Sequence, residues 1–345
     1  MKALAITASK NMELVDIEVP SPGPDEVLIR VSYVGVCGSD LPRYFEGGVH
    51  QYPQVLGHEF SGVIERTGEG VCGLTPGTAV VVAPLVPCGT CDQCQQGNPQ
   101  LCENYSFIGS RRPGAMAEYV TAPAKNCLKV PDALPLDIAS TIEPLTVALH
   151  GMERVRIRPG ARALILGAGT IGLMAVLALR ALGIGEITVV DINESRLGVA
   201  REVGADRTIN PARVDLDDHF GRYGLGEVVF ETAGNHVTQV QAIRYADRCG
   251  KVVFIGTCTQ PIDFDPETFE LILRRELELT GSWMSYSAPF PGYVWNAALR
   301  YLATGEIDTS ALITSTWSLE DAAEPFERMR APGSSEVKVL YRIGG

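Results

Sequence analysis

Residues 162–191 read RALILGAGTIGLMAVLALRALGIGEITVVD. RALIL is a strand-like apolar run, Gly167-Ala-Gly169-Thr170-Ile171-Gly172 spells G-x-G-x-x-G, an apolar helix-like stretch follows, and TVVD closes a second strand-like run on Asp191. Alone the glycine motif is weak. A strand before it, a helix after it and an acidic residue about 20 positions on supply the context in which it binds a dinucleotide. Gly167 permits the tight turn, Gly169 lets backbone approach a pyrophosphate and Gly172 brings helix close to sheet, while the helix start at Thr170 and Ile171 offers N–H donors and a positive dipole end. A structural glycine turn is the plain alternative. Asp191 would accept hydrogen bonds from the adenosine ribose and repel a 2′-phosphate, so NAD is expected rather than NADP. Arg196 is the counterweight, because an arginine there can meet that phosphate, flank the adenine or simply lie on the helix surface.

Downstream, strand-like EITVVDI, EVVFETA, KVVFIGT and ELELTGSW alternate with helix-like SRLGVAREVGA and HVTQVQAIRYAD. Strands alternating with helices of 10–15 residues indicate βαβ units and a parallel sheet. Upstream the character differs. MKALAIT, MELVDIEV, EVLIRVSYVGV, FSGVIERTG, TAVVVAP and AEYVTA are short strand-like runs punctuated by Gly and Pro, and predict a mostly antiparallel β domain. After Trp283 the alternation stops; helices near Tyr293–Thr304 and Leu319–Met329 and a strand VKVLYRI remain, and these can return to the first domain. The expected class is therefore α/β plus β. Residues 148–285 form the doubly wound parallel unit, and residues 1–147 with 286–345 form a discontinuous β unit.

A chain of 345 residues suits two domains, since single cores stop growing at roughly 250–300 residues. Its net charge of −12 disfavours sequence-independent nucleic-acid binding, which needs a basic footprint, though a local basic pocket for a small anion is compatible with it. The opening MKALAITASKNMELV has neither a basic region nor an apolar core with small residues after it, so no signal peptide is expected. No transmembrane segment is expected either, because the long apolar run is the strand, turn and helix just described. Nine cysteines, five of them scattered, suit a reducing cytoplasm.

The other four are Cys88, Cys91, Cys94 and Cys102, spaced C-x2-C-x2-C-x7-C in a polar loop with little apolar material of its own. Thiolates so spaced can close a tetrahedral zinc site whose binding energy folds the loop. An iron–sulfur cluster and a pair of disulfides are the alternatives. A second constellation is Cys37 in VGVCGSD, His58 and Glu59 in LGHEFSG, and Glu143 in IEPLTVALH. Thiolate, imidazole and carboxylate with an open fourth position suit a catalytic zinc. Sequence spacing does not bring them together, and a core histidine or a surface glutamate is the commoner origin of each.

Taken in order, GHEFSG, the cysteine loop, GAGTIG and the terminal helix and strand resemble the zinc-dependent medium-chain alcohol and polyol dehydrogenases over essentially the whole chain. CGSDLPR, FIGSRR, IEP and GSWMSYS are similar to the sorbitol dehydrogenase branch, and within it to members that oxidise polyol phosphates of the galactitol 1-phosphate kind. The resemblance implies a GroES-like catalytic domain beside a Rossmann domain, and two zinc ions per chain. Cys37, His58 and Glu143 match catalytic zinc ligands, and Glu59 matches a glutamate that enters the metal sphere during exchange. The cysteine loop matches a structural zinc site. Ser39 matches a hydroxyl that hydrogen-bonds the alcohol, although by itself it also reads as a helix N-cap. Thr232, Ile255-Gly256-Thr257 and Gly281-Ser282 match the cofactor side. Pro42 departs from the many members that carry a relay histidine there; the proton would then leave through Ser39, the ribose hydroxyls and water. Asp40 reads as a helix cap.

The implied reaction is oxidation of a secondary alcohol to a ketone with hydride transfer to NAD. Arg43, Arg111 and Arg112 are candidates for a substrate phosphate, since guanidinium forks pair with phosphate oxygens; exposed loop arginines are the plain alternative. Free polyols such as sorbitol or threitol are the second substrate class. A zinc- and NAD-binding protein without activity is the reading outside enzymes. A homodimer or homotetramer is implied by resemblance alone, with no nucleic-acid or membrane partner.

Overall fold

The computed structural model describes residues 1–344. Its contacts divide the chain into two units, Met1–Glu143 with Tyr286–Glu306 and Ile313–Gly345, and Pro144–Ser285 with Ile307–Leu312.

In the second unit six parallel strands stand in the order Arg207–Ile209, Glu186–Val190, Arg162–Leu166, Gly226–Glu231, Ala246–Phe254 and Glu278–Gly281. Numbered along the chain this is 3-2-1-4-5-6, and the order reverses between Arg162–Leu166 and Gly226–Glu231. Strand–turn–helix follows directly from residues 162–191: RALIL is buried from Ala163 on, and Gly169 begins helix Thr170–Ala181, of which seven residues are buried. Gly167 has φ +103°, and a Cβ on Gly172 would fall 1.9 Å from the Gly167 carbonyl oxygen, so neither position admits a side chain. Three elements here are absent from the sequence reading, helix Leu216–Tyr223 being one of them. Arg207–Ile209 has only three residues, too few to show a period; helix Pro266–Arg274, capped by Asp265 on Thr268 N–H, lay unassigned between two strands.

In the first unit the longest strand, Glu26–Val36, pairs antiparallel with Glu59–Thr67, Tyr119–Pro123 and Lys338–Arg342. The last of these pairs in parallel with Ile313–Trp317, a strand the sequence reading did not contain. Alternation along Glu26–Val36 buries Val27, Ile29 and Val31, and after the register shift between Val31 and Tyr33 it buries Val34 and Val36, in one core with Leu4, Ile6, Phe60, Phe326 and Tyr341. The helix expected over Leu319–Met329 is two pieces, Leu319–Asp321 and Glu324–Arg330, broken at Ala322, whose φ is +46°. Among the described residues no helix is long and apolar enough to cross a membrane.

Candidate active site

Register assembles the first site. Cys37 follows strand Glu26–Val36 directly, and His58 immediately precedes Glu59–Thr67; the pairing of Gly35 with Glu59 therefore sets Cys37 beside His58. Gly35 is required there, because a Cβ would lie 2.3 Å from Glu59 Oε2. The ligand atoms of Cys37, His58 and Glu59 lie within 4.8 Å of one another, His58 and Glu59 being buried. Glu143, also buried, lies outside this group of three, but its charge is felt by both Cys37 and Lys338. Burial pushes the Cys37 thiol far up, and the charges of Glu59 and Asp40 add to it. Burial likewise raises the Glu143 carboxyl to about 7, against the pull of His58. Thiol, imidazole and carboxylate crowded in this way fit a zinc ion.

Two residues that sequence reasoning missed complete this site. Lys338 is 1% exposed, and its Nζ donates to Glu59 Oε2 and to the Val36 carbonyl at 3.0 Å. Burial alone would lower its pKa, but the charges of Glu59 and Cys37 outweigh burial and raise it. The only signal was a lysine inside the apolar run VKVLYRI. Asp40, read as a cap, is fully buried: its Oδ2 accepts the Cys37 N–H at 3.2 Å, and Oδ1 lies 3.7 Å from His58 Nδ1, an otherwise unpartnered buried atom. At that distance it makes no hydrogen bond to the ring, but it places a buried carboxylate next to the imidazole. Ser39 makes no side-chain capping bond; its Oγ accepts from Arg43 at 2.9 Å.

The three arginines have separate surroundings. Arg43 also meets Asp40 Oδ1 at 3.1 Å. Arg111 lies over the Tyr105 ring, 4.1 Å from its centroid. Arg112 is held by Glu26 at 2.8 Å and by the Thr121 hydroxyl at 3.2 Å.

Cys88, Cys91, Cys94 and Cys102 also bring their sulfurs within 4.8 Å of one another, and all are free thiols. Cys88 Sγ accepts N–H groups from Thr90 at 3.5 Å and Cys91 at 3.4 Å, which with the Thr90 hydroxyl lower its pKa to about 6. Backbone donors aimed at sulfur stabilise a thiolate at Cys88, whereas burial pushes Cys94 up to about 12; the four clustered sulfurs have the arrangement of a four-thiolate metal site.

In the second unit a recess of about 410 Å³ is lined by Gly167, Asp191, Arg196, Ala233, Asn235 and Thr238, among others. A Cβ on Gly169 would meet nothing within 4 Å, leaving space beside the helix start. Asp191 binds the glycine turn itself, its Oδ2 accepting the Ala168 N–H at 2.6 Å and its Oδ1 the Asn193 N–H at 2.8 Å. Arg196 Nε is buried with no hydrogen-bond partner. The Thr232 hydroxyl lies on the carbonyls of Leu166 and Gly167, at 3.0 and 3.1 Å. Ser282 follows the edge strand, its N–H on the Phe254 carbonyl at 2.9 Å and its buried Oγ unpartnered. This cradle fits a dinucleotide: bare backbone at the turn, a carboxylate one strand over and an unpaired guanidinium.

A dinucleotide cradle on a 3-2-1-4-5-6 sheet and a Cys-His-Glu metal set on a β unit define the zinc-dependent medium-chain alcohol and polyol dehydrogenases, enzymes acting on CH–OH groups, and the chain belongs to this family. The model of the alcohol dehydrogenase GroES-like domain matches residues 23–132, and that of the zinc-binding dehydrogenases matches residues 170–300. Galactitol 1-phosphate 5-dehydrogenase of Escherichia coli is 39% identical over 303 residues, 87% of this chain and 88% of the relative. Sorbitol dehydrogenase of Bacillus subtilis is 33% identical over 349 residues, 99% and 96% of the two chains. The crystal structure of galactitol-1-phosphate dehydrogenase from Escherichia coli superposes with a TM-score of 0.93 at 37% identity, covering 99% of this chain and 100% of that one. Zinc and a nicotinamide dinucleotide are the cofactors of the family; similar structures hold NADP, in a dehydrogenase from Sinorhizobium meliloti, and NADH, in one from Escherichia coli.

Proposed function

We propose that this enzyme oxidises a secondary alcohol of a polyol or polyol phosphate to a ketone, with hydride transfer to NAD. The observation that carries the reading is the convergence of Cys37, His58 and Glu59 on one buried point, with Lys338 behind the glutamate and Asp40 behind the histidine. Zinc held by Cys37, His58 and Glu59 would supply Lewis acidity toward the alcohol, and a dinucleotide in the recess at Gly167 and Asp191 would supply the hydride acceptor. The chain's own groups set the stage for this. Asp40 sets a carboxylate beside the His58 ring, Lys338 holds Glu59 in place through its ammonium, and Glu143 is the carboxylate available to exchange with Glu59. Ser39, an exposed hydroxyl beside Cys37, receives the alcohol's proton and hands it to water, Pro42 being no relay.

NAD is favoured over NADP because Asp191 lines the recess, its carboxyl held by two N–H donors, where an acidic side chain disfavours a 2′-phosphate. Substrate phosphate recognition rests on Arg43, Arg111 and Arg112, of which Arg43 is paired with Asp40 and Arg112 with Glu26. That engagement favours a free polyol as the second reading. Likeness to the Escherichia coli and Bacillus subtilis relatives supports both substrate classes. A dimer or tetramer is the proposed assembly, on family resemblance.

The test is reduction of NAD and NADP over a panel of phosphorylated and free polyols, with zinc supplied. Activity with phosphorylated polyols that loses KM in Arg43→Ala and Arg111→Ala supports phosphate recognition. Cys37→Ser or His58→Ala should abolish turnover while NADH binding persists, and Asp191→Ala should shift preference toward NADP. Full activity of the Cys37→Ser protein after metal removal would sink the mechanism.

A further inference from the structure

Glu231 is the last residue of strand Gly226–Glu231, at the point where the strand order of the sheet reverses. It is fully buried, and no cation compensates its charge among the described residues. Three donors do so on one oxygen: Oε1 accepts the Ala233 N–H at 3.0 Å, the Gly234 N–H at 2.9 Å and the Thr238 hydroxyl at 2.7 Å. The residue's own carbonyl accepts two further N–H groups, from Ile255 at 2.9 Å and Gly256 at 3.0 Å, at the end of the neighbouring strand. The second carboxyl oxygen, Oε2, is buried without a hydrogen-bond partner and lies against Gly256, where a Cβ would come within 2.8 Å of it. Gln239 ties the same place from helix His236–Arg244, its amide donating to the Gly256 carbonyl at 3.3 Å.

We propose that Glu231 is a positioning residue for the dinucleotide, its side chain holding the turn at Thr232–Asn235 and its carbonyl holding the turn at Ile255–Thr257. This rests on the dinucleotide reading of the recess and extends it to a residue that touches no ligand itself. Ala233 and Thr238, which the carboxyl holds, line the recess with Asp191. Ile255 and Gly256, whose N–H groups the carbonyl accepts, belong to the stretch that family likeness assigns to the cofactor side. Turns at strand ends are mobile unless their backbone groups are satisfied. A buried carboxyl is costly unless hydrogen-bonded, and burial indeed pushes this one up while Thr238, Gly234 and Ala233 pull it down. An apolar residue would pack more cheaply here; what it would lack is the three-donor hold on one turn. The positioning role also explains the close approach of Gly234 and Gly256, since a Cβ on Gly256 would lie 2.2 Å from Gly234 N.

The experiment compares zinc-loaded wild type with Glu231→Ala, Glu231→Gln and Thr238→Val, by NADH fluorescence titration, by KM for NAD and kcat at saturating NAD, and by thermal melting. Glu231→Ala should weaken NADH and raise KM for NAD by at least about tenfold, with kcat changed less than about threefold, because the reacting groups are untouched. Glu231→Gln should stay within about threefold of wild type, because its Oε1 accepts the same three donors. Thr238→Val, which removes one hydroxyl of the three donors, should raise KM about two- to fivefold and serves if the alanine variant does not fold. Wild-type KM in Glu231→Ala, a glutamine variant as impaired as the alanine one, or a fall confined to kcat overturns the positioning role. Absence of NADH and NADPH binding by the wild type overturns the dinucleotide reading itself, a distinct failure.

Discussion

Lys338→Met tests the inner wall of the metal site. The substitution keeps the length of the side chain and removes its ammonium, leaving the Glu59 carboxylate 2% exposed, beside Cys37, with only Gly35 across from it. Removing one partner of a buried ion pair costs about 3–5 kcal/mol, because the charge left behind is uncompensated. The Val36 carbonyl loses its donor as well. For a domain of 150–250 residues each kcal/mol moves the midpoint by about 2–4 °C, so the first unit should melt roughly 6–20 °C earlier. Glu59→Gln/Lys338→Met removes both charges together and should recover at least about 2 kcal/mol of that loss, as replaced buried pairs do. The assay is a double-mutant cycle by thermal melting and urea denaturation, run on EDTA-treated protein so that metal binding does not mask the pair. A cost below about 1 kcal/mol for Lys338→Met, or strict additivity of the two single changes, would refute the coupling.

Two further predictions concern groups away from that pair. His150, 8% exposed on helix Ile142–Glu153, is pushed down to about 4 by burial and by Arg154. Its folded pKa lies below its unfolded value, so the unfolded chain takes the proton first; stability is whole above about pH 6.5 and falls by about 3 kcal/mol as pH drops toward 4. His150→Gln should flatten the stability profile over that window, and an unchanged slope assigns it to other groups. In the cysteine loop, Cys102→Ser should reduce bound zinc from two per chain to one and lower the melting temperature first, with activity following; two zinc ions retained by metal analysis would count against the closed four-thiolate site.

The dinucleotide unit was legible in residues 162–191 because every part of that signal is local. A tight turn, a helix start and a carboxylate at the next strand end depend on neighbours within thirty positions, and helix Tyr293–Thr304 was readable from its own pattern for the same reason. Strand Arg207–Ile209 is too short to show a period, and the kink at Ala322 is a backbone excursion with no glycine to announce it. Both escaped for want of a local mark. The cysteine loop was legible too, since its four ligands fall within fifteen positions; what the structure adds is that the four sulfurs are free thiols drawn together, with backbone N–H donors on Cys88.

The sequence by itself determined the classes of chemistry available: a dinucleotide turn, a four-thiolate loop, and a thiolate, an imidazole and carboxylates of catalytic type. Tertiary structure decided which of them meet. The pairing of Gly35 with Glu59 brings Cys37 to His58, and the return of the chain 279 positions later brings Lys338 onto Glu59. Asp40 passed for a cap until packing buried it against His58. The physical reason is one of range. Turn and helix propensities act over a few residues and can be read in order, whereas the strength of a buried charge depends on which distant partner the strand register places beside it.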